Sequence, residues 1–193
     1  MTLRREASAV RGKRPRASAE TISRARVARR ARAFGGALAT AAMLACATAG
    51  AGEARGVIAY SYKGGAIVVN VRHAYLFKGP DVVSGKPIRR VVLSVADVSA
   101  KLAGCATMLC SDGDIVEGMT IDFDAGPRLN YWVVGNNQLV QYSGTADPST
   151  LTLAVDTPSR LAGKWDLDGS ATGGPKIQVQ FDASLVKTVT KLR

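Results

Sequence analysis

From Val57 onward, apolar residues recur at every second position in short runs, and this period constrains the fold of the 193-residue chain more than any other property. In Ile67-Val69-Val71-His73-Tyr75-Phe77 the odd positions are mostly apolar, while Asn70, Arg72 and Lys78 occupy the other face. A strand reads this way when one side packs on a core and the other meets water. The same alternation runs through Ile115 to Phe123, Leu129 to Val133, Leu151 to Val155, Leu161 to Leu167 and Ile177 to Phe181. Shorter runs add strands at Val57–Tyr62, Ile88–Leu93 and Leu139–Tyr142.

Breakers fall between the runs. Lys63-Gly64-Gly65 and Gly135-Asn136-Asn137 read as hairpin turns, because Gly and Asn accept the positive φ of tight turns. Gly79-Pro80-Asp81, Asp147-Pro148-Ser149 and Thr172-Gly173-Gly174-Pro175 read as loops. One helix is predicted over Val95 to Ala103, with Ser94 as its cap, Asp97 three residues on in a capping-box arrangement, and Gly104 at its end. Nine short strands and one short helix predict a mainly β fold, a single antiparallel β-sandwich or barrel-like domain over residues 55–193.

Residues 1–54 form a different unit. Eleven basic side chains lie within residues 1–32 against two acids, Glu6 and Glu20, and an uncharged stretch follows from Ala33 to Gly52. A basic arm, an apolar segment and a small-residue exit at Ala49-Gly50-Ala51 make the pattern of an export signal. The expected destination is the periplasm or the medium. Only Phe34, Leu38, Met43 and Leu44 are strongly apolar, which favours cleavage over a retained anchor. Lipidation at Cys46, in a loose lipobox Met43-Leu44-Ala45-Cys46, is a second fate and would hold the protein at a membrane. The leader also carries most of the formal +11: from Arg55 there are fifteen basic residues and twelve acids. Nucleic acid is therefore not an expected partner of the mature domain.

Cys105 and Cys110 remain as an even pair, and in an oxidising compartment they predict one local disulfide. Their spacing is not C-x-x-C, which argues against a redox pair. A zinc site would need more than two Cys and His73, the sole histidine. His73 falls in register with the apolar side of its strand and no G-x-S-x-G elbow accompanies it, so the expectation is a core or interface histidine. Gly79 to Gly85-Lys86 fails as a phosphate loop, because five residues separate the glycines and Pro87 stands where a hydroxyl should be.

Two candidate sites remain. Asp112 and Asp114 follow the second cysteine, and Asp122 and Asp124 are read onto the polar face of one strand. Paired carboxylates can bind Ca²⁺ or act as acid and base, although neither spacing matches an EF-hand. Arg128, Asn130 and Trp132 lie opposite Leu129, Tyr131 and Val133, and Arg and Trp concentrate at binding hot spots. The chain also resembles small exported bacterial β-domains of unassigned function, through His73-Ala74-Tyr75, Arg160-Leu161-Ala162-Gly163 and Gln178-Val179-Gln180-Phe181-Asp182-Ala183. That resemblance implies no activity. The expectation is a binding or inhibitor module without catalysis or cofactor, facing an envelope protein, a secreted enzyme or a glycan through Arg128, Asn130 and Trp132. The alternatives are an envelope hydrolase using Asp114, Asp122 and Asp124, with or without a cation, and a membrane-tethered structural protein.

Overall fold

The alternating runs form nine strands, and they belong to one sheet instead of two. A computed structural model describes residues 52–113 and 115–193. Residues 1–51 of the export segment, Cys46 among them, and Asp114 lie outside the described residues, whereas Gly52 to Ala54, read as the end of the leader, open the first strand. The strands are β1 (Gly52–Tyr62), β2 (Gly65–Pro80), β3 (Pro87–Ser94), β4 (Gly118–Phe123), β5 (Leu129–Gly135), β6 (Val140–Ala146), β7 (Leu151–Thr157), β8 (Arg160–Asp168) and β9 (Lys176–Thr188). Their order is β6-β5-β4-β3-β2-β1-β9-β8-β7, and neighbours are antiparallel. The sheet curls into a half-barrel. Beyond the start of β1, β2 pairs directly with β9 in parallel, Tyr75 opposite Ser184.

The concave side holds the main core, in which Ile58, Leu76, Val91, Ile121, Leu161, Trp165 and Ile177 are fully buried. Trp165 on β8 meets Tyr131 on β5 edge to face at 5.3 Å, and its indole N–H donates to Thr150 Oγ1 at 2.9 Å. These contacts join the two arms of the curl through aromatic packing.

The odd positions of β2 do not all share one face. Val69 and Val71 enter the main core, but so do Ala74 and Leu76, while Tyr75 and Phe77 join a second cluster on the convex side. The switch coincides with a register shift in the β1–β2 pairing between Glu53 and Gly56. Gly56 has φ +139°, and a Cβ there would stand 2.1 Å from the Gln178 carbonyl oxygen, so only glycine lets β9 approach at this point. His73 falls within the irregularity. It is half-buried outside the main core, with its ring stacked 6.4 Å from that of Tyr75.

The predicted helix starts later and is shorter. β3 continues to Ser94, whose hydroxyl donates to the Ala96 carbonyl instead of capping a helix, and α1 spans Ser99–Gly104. Asp97 accepts from the Ser99 N–H at 2.8 Å and from the Tyr75 hydroxyl at 2.8 Å, and Tyr75 in turn accepts from the Val98 N–H. A buried tyrosine on the sheet thus fixes where the helix begins. A second short helix, α2 (Cys110–Gly113), was not expected. Cys105 and Cys110 are bonded across the turn between the two helices. This helical flap covers Tyr75, Phe77, Ile88 and Val92, and its Met108 and Leu109 amides bond the carbonyls of Lys191 and Leu192 in the C-terminal tail.

Candidate functional site

Register decides which side chains on the convex face meet. Arg90 on β3 lies opposite Asp122 on β4, Asp122 opposite Asn130 on β5, and Asn130 opposite Thr145 on β6. One step along, Val92, Thr120, Trp132 and Ser143 form a second row across the same four strands. Cross-strand partners on one face stand about 5 Å apart, so each row is a continuous line of side chains. All of them but Val92, which the flap covers, line an open groove of ≈ 650 Å³, bordered by Asp112 on α2 and by Val83 at the tip of the β2–β3 turn.

Arg90 anchors the floor of this groove, with only 4 % of its surface exposed. Its Nε and Nη2 donate to the two carboxylate oxygens of Asp122 at 2.6 and 2.8 Å. Nη1 donates to Ser111 Oγ at 3.1 Å and to Asp112 Oδ1. Burial alone would push the guanidinium down, but Asp122 and then Asp112 hold it charged and raise it above its ordinary value. Burial pushes the Asp112 carboxyl up, against the pull of Arg90. The fork geometry of arginine makes the Asp122 pair bidentate, which locks both side chains in place.

Trp132 is half-buried: it packs against the flap cluster and also lines the groove. Asn130 is exposed on its strand, and Ser143 and Thr145 are exposed on β6. Arg128 is exposed at the rim, where its Nε donates to Thr145 Oγ1 at 3.1 Å and its charge helps hold Asp147 below its usual range after the Ser149 hydrogen bonds. Val83 is 94 % exposed on a turn that Asp81 tightens by accepting from the Ser84 N–H and hydroxyl.

The two candidate groups of the sequence therefore converge in part. Asp112 and Asp122 meet Asn130 and Trp132 in one groove, with Arg128 at its edge. Asp124 departs from the expected grouping with Asp122. It follows the last residue of β4 with a left-handed backbone, φ 70°, and bonds Arg89 through both oxygens. Arg89 also bonds Asp156 on β7 and lies 5.9 Å from the Phe123 ring. Asp122 and Asp124 thus serve different arginines, which removes the paired-carboxylate geometry read from their spacing. Between Asp112 and Asp122 stands the Arg90 guanidinium. Among the described residues no cluster of three or more His, Cys, Asp or Glu is placed to hold a metal ion.

Arg90, Thr120, Ser143 and Thr145 were not singled out from the sequence. Arg90 carried a usable signal, an arginine inside the apolar run Ile88–Leu93, where a charge requires a buried partner. Ser143 and Thr145 carried none, because their place beside Trp132 follows from strand register alone. No protein-family model, curated protein or solved structure matches this chain.

Proposed function

We propose that this chain is an exported binding module whose contact surface is the groove across β3, β4, β5 and β6. The observation that carries the reading is the pair of cross-strand rows, which align Asn130, Trp132, Ser143 and Thr145 on one open face above an immobilised Arg90–Asp122–Asp112 floor. A half-exposed indole supplies contact area at low conformational cost, and the amide and hydroxyls beside it supply orientation. The floor is already saturated by its own ion pairs, which suits a rigid recognition surface better than proton transfer. Export is supported by the leader pattern and the Cys105–Cys110 bond, and among the described residues no helix is long and apolar enough to cross a membrane.

The test is in-cell photocrosslinking from a benzophenone side chain at Ser143, with Val68 on β2 as an exposed control position. The expected result is one discrete adduct at Ser143, absent at Val68 and lost when Asn130→Ala or Trp132→Ala is added to a chain that still melts cooperatively. Equal labelling at both positions, or an adduct indifferent to both substitutions, would exclude the groove as the contact surface. Intact mass of the secreted material tests export, since cleavage predicts a chain beginning near Gly52 to Arg55.

A further inference from the structure

The first strand begins where the small-residue exit of the leader ends. β1 enters between β2 and β9 with its opening residues held by pairing: Gly52 with Ala74, Glu53 with both His73 and Asp182, and Ala54 with Phe181. Ala54 is 4 % exposed and belongs to the main core. The fit is tightest at Gly52, where a Cβ would stand 2.0 Å from the Asp182 carbonyl oxygen and 2.8 Å from that of Ala74. No side chain fits there. Past Ala74, β2 and β9 pair directly with each other, Tyr75 opposite Ser184, so the slot that β1 fills ends at Gly52. In the sequence, Ala49-Gly50-Ala51 stands immediately before it and has the small-x-small form that a leader peptidase recognises.

Resting on the export reading above, we propose that the leader is removed at the Ala51–Gly52 peptide bond, and only before β9 closes over β1, so that the domain leaves the cell as an unfolded chain. The step is a hydrolysis carried out by a separate peptidase. Water adds across the bond, leaving a carboxylate on Ala51 and an α-amine on Gly52. A peptidase must take hold of extended backbone on both sides of the bond it cuts, which is why nicking concentrates where backbone is exposed and unpaired. In the finished sheet the downstream side, Gly52 to Ala54, is already engaged with β2 and β9, so cutting requires the start of β1 to be drawn out of its slot. The same pairing argues against a cut after Ala54, which would strip a core residue and the contacts of β1 with Asp182 and Phe181. Chain order supplies the interval. β9 is the last strand, and one side of β1 stays open to the peptidase until β9 has emerged. A domain folded before export would keep its leader.

The experiment presents three chains to a purified bacterial leader peptidase in mild detergent and reads the products by intact mass. They are the folded full-length precursor, the same precursor with a flexible Gly-Ser linker of about eight residues between Ala51 and Gly52, and a precursor ending at Pro175, which lacks β9. The linker variant must melt at the temperature of the unaltered precursor. The expected result is that the linker variant and the shortened chain are both cut after Ala51, the shortened chain to a product beginning at Gly52. The folded precursor should be cut more slowly by a factor on the order of 100, since only its transiently opened form offers the bond. A folded precursor cut as fast as the linker variant, or a shortened chain as resistant as the folded precursor, overturns the requirement that cleavage precede closure by β9. A product of the shortened chain beginning at any residue other than Gly52 overturns the assigned bond and leaves export standing. If even the linker variant is not cut, the export reading falls together with the proposal.

Discussion

Replacing Arg90 by Met removes one positive charge from a site with two carboxylates, and the structure sets the size of the effect. The Asp122 side chain is 13 % exposed and that of Asp112 26 % exposed, so both lose their counter-charge where water compensates only partly. Breaking a buried pair by deleting one partner costs about 3–5 kcal/mol, and the partial exposure here places the expectation near the lower end, ~3 kcal/mol. For a domain of roughly 140 residues, whose unfolding entropy is about 0.3 kcal/mol per degree, that is a fall of about 10 °C in melting temperature. The penalty depends on pH with a definite sign. Without the guanidinium the burial that already pushes the Asp112 carboxyl up goes unopposed, so its contribution is retained at low pH and lost as pH rises through its folded-state value. The Met variant should therefore lie closest to wild type near pH 4.5 and furthest from it at pH 7.5. Adding Asp112→Asn and Asp122→Asn should recover more than half of the loss, because no uncompensated charge then remains. Urea melts of wild type, the single variant and the triple variant at both pH values decide the matter. A single variant within about 1 kcal/mol of wild type at pH 7.5, or a loss that is the same at both pH values, would refute the assignment of Arg90 as the electrostatic anchor of the groove.

Burial, reinforced by the hydrogen bond to Asp97, raises Tyr75 to about 12, so stability should fall as pH climbs from 10 to 12. Tyr75→Phe should abolish that alkaline loss in pH-dependent melts while costing roughly 1–2 kcal/mol at neutral pH, through the unpaired Val98 N–H. Asp97 is lowered to about 2, first by its Ser99 hydrogen bonds, so the same latch weakens as pH falls from about 4 towards 2 and should register as faster amide exchange at the start of α1. Replacing both Cys105 and Cys110 by Ser should cost about 2 kcal/mol for so short a loop. Hydrogen exchange should then rise at Met108 and Leu109, which the flap holds against the C-terminal tail, with little change at Val91 or Ile121.

Strand existence was legible because one face of nearly every strand is buried, which writes a period of two into the sequence. Strand neighbours were not legible, because alternation states which residues face inward and says nothing of whether the sheet closes, splits or curls. In β2 alternation also misassigned a face: a local register irregularity sends Ala74 and Leu76 to the core that Val69 and Val71 had entered. The Gly135-Asn136-Asn137 turn was placed one residue early, since the positive φ values fall on Asn136, Asn137 and Gln138. Gly135 is instead needed for space, its missing Cβ lying 2.6 Å from Ile67 Cγ2. The groove residues Asn130 and Trp132 were found by facing and residue type. Ser143 and Thr145 were not, because a hydroxyl on a polar strand face is ordinary until register sets it beside a tryptophan.

The place of β9 bears on how the sheet can be assembled. The last strand lies between the first and the eighth, so β1 has only one of its two neighbours until the residues from Lys176 onward are present. A growing chain can form the hairpins from β1 to β6 in order, yet it cannot close the seam on which Trp165 and Tyr131 meet. Joining β1 to β9 spans most of the domain's length, and closing so long a loop delays the pairing until late in folding. The domain thus acquires its stability as a whole and at the end, and a chain that stops before Lys176 would leave two further strand edges, β1 and β8, bare in place of a smaller folded protein.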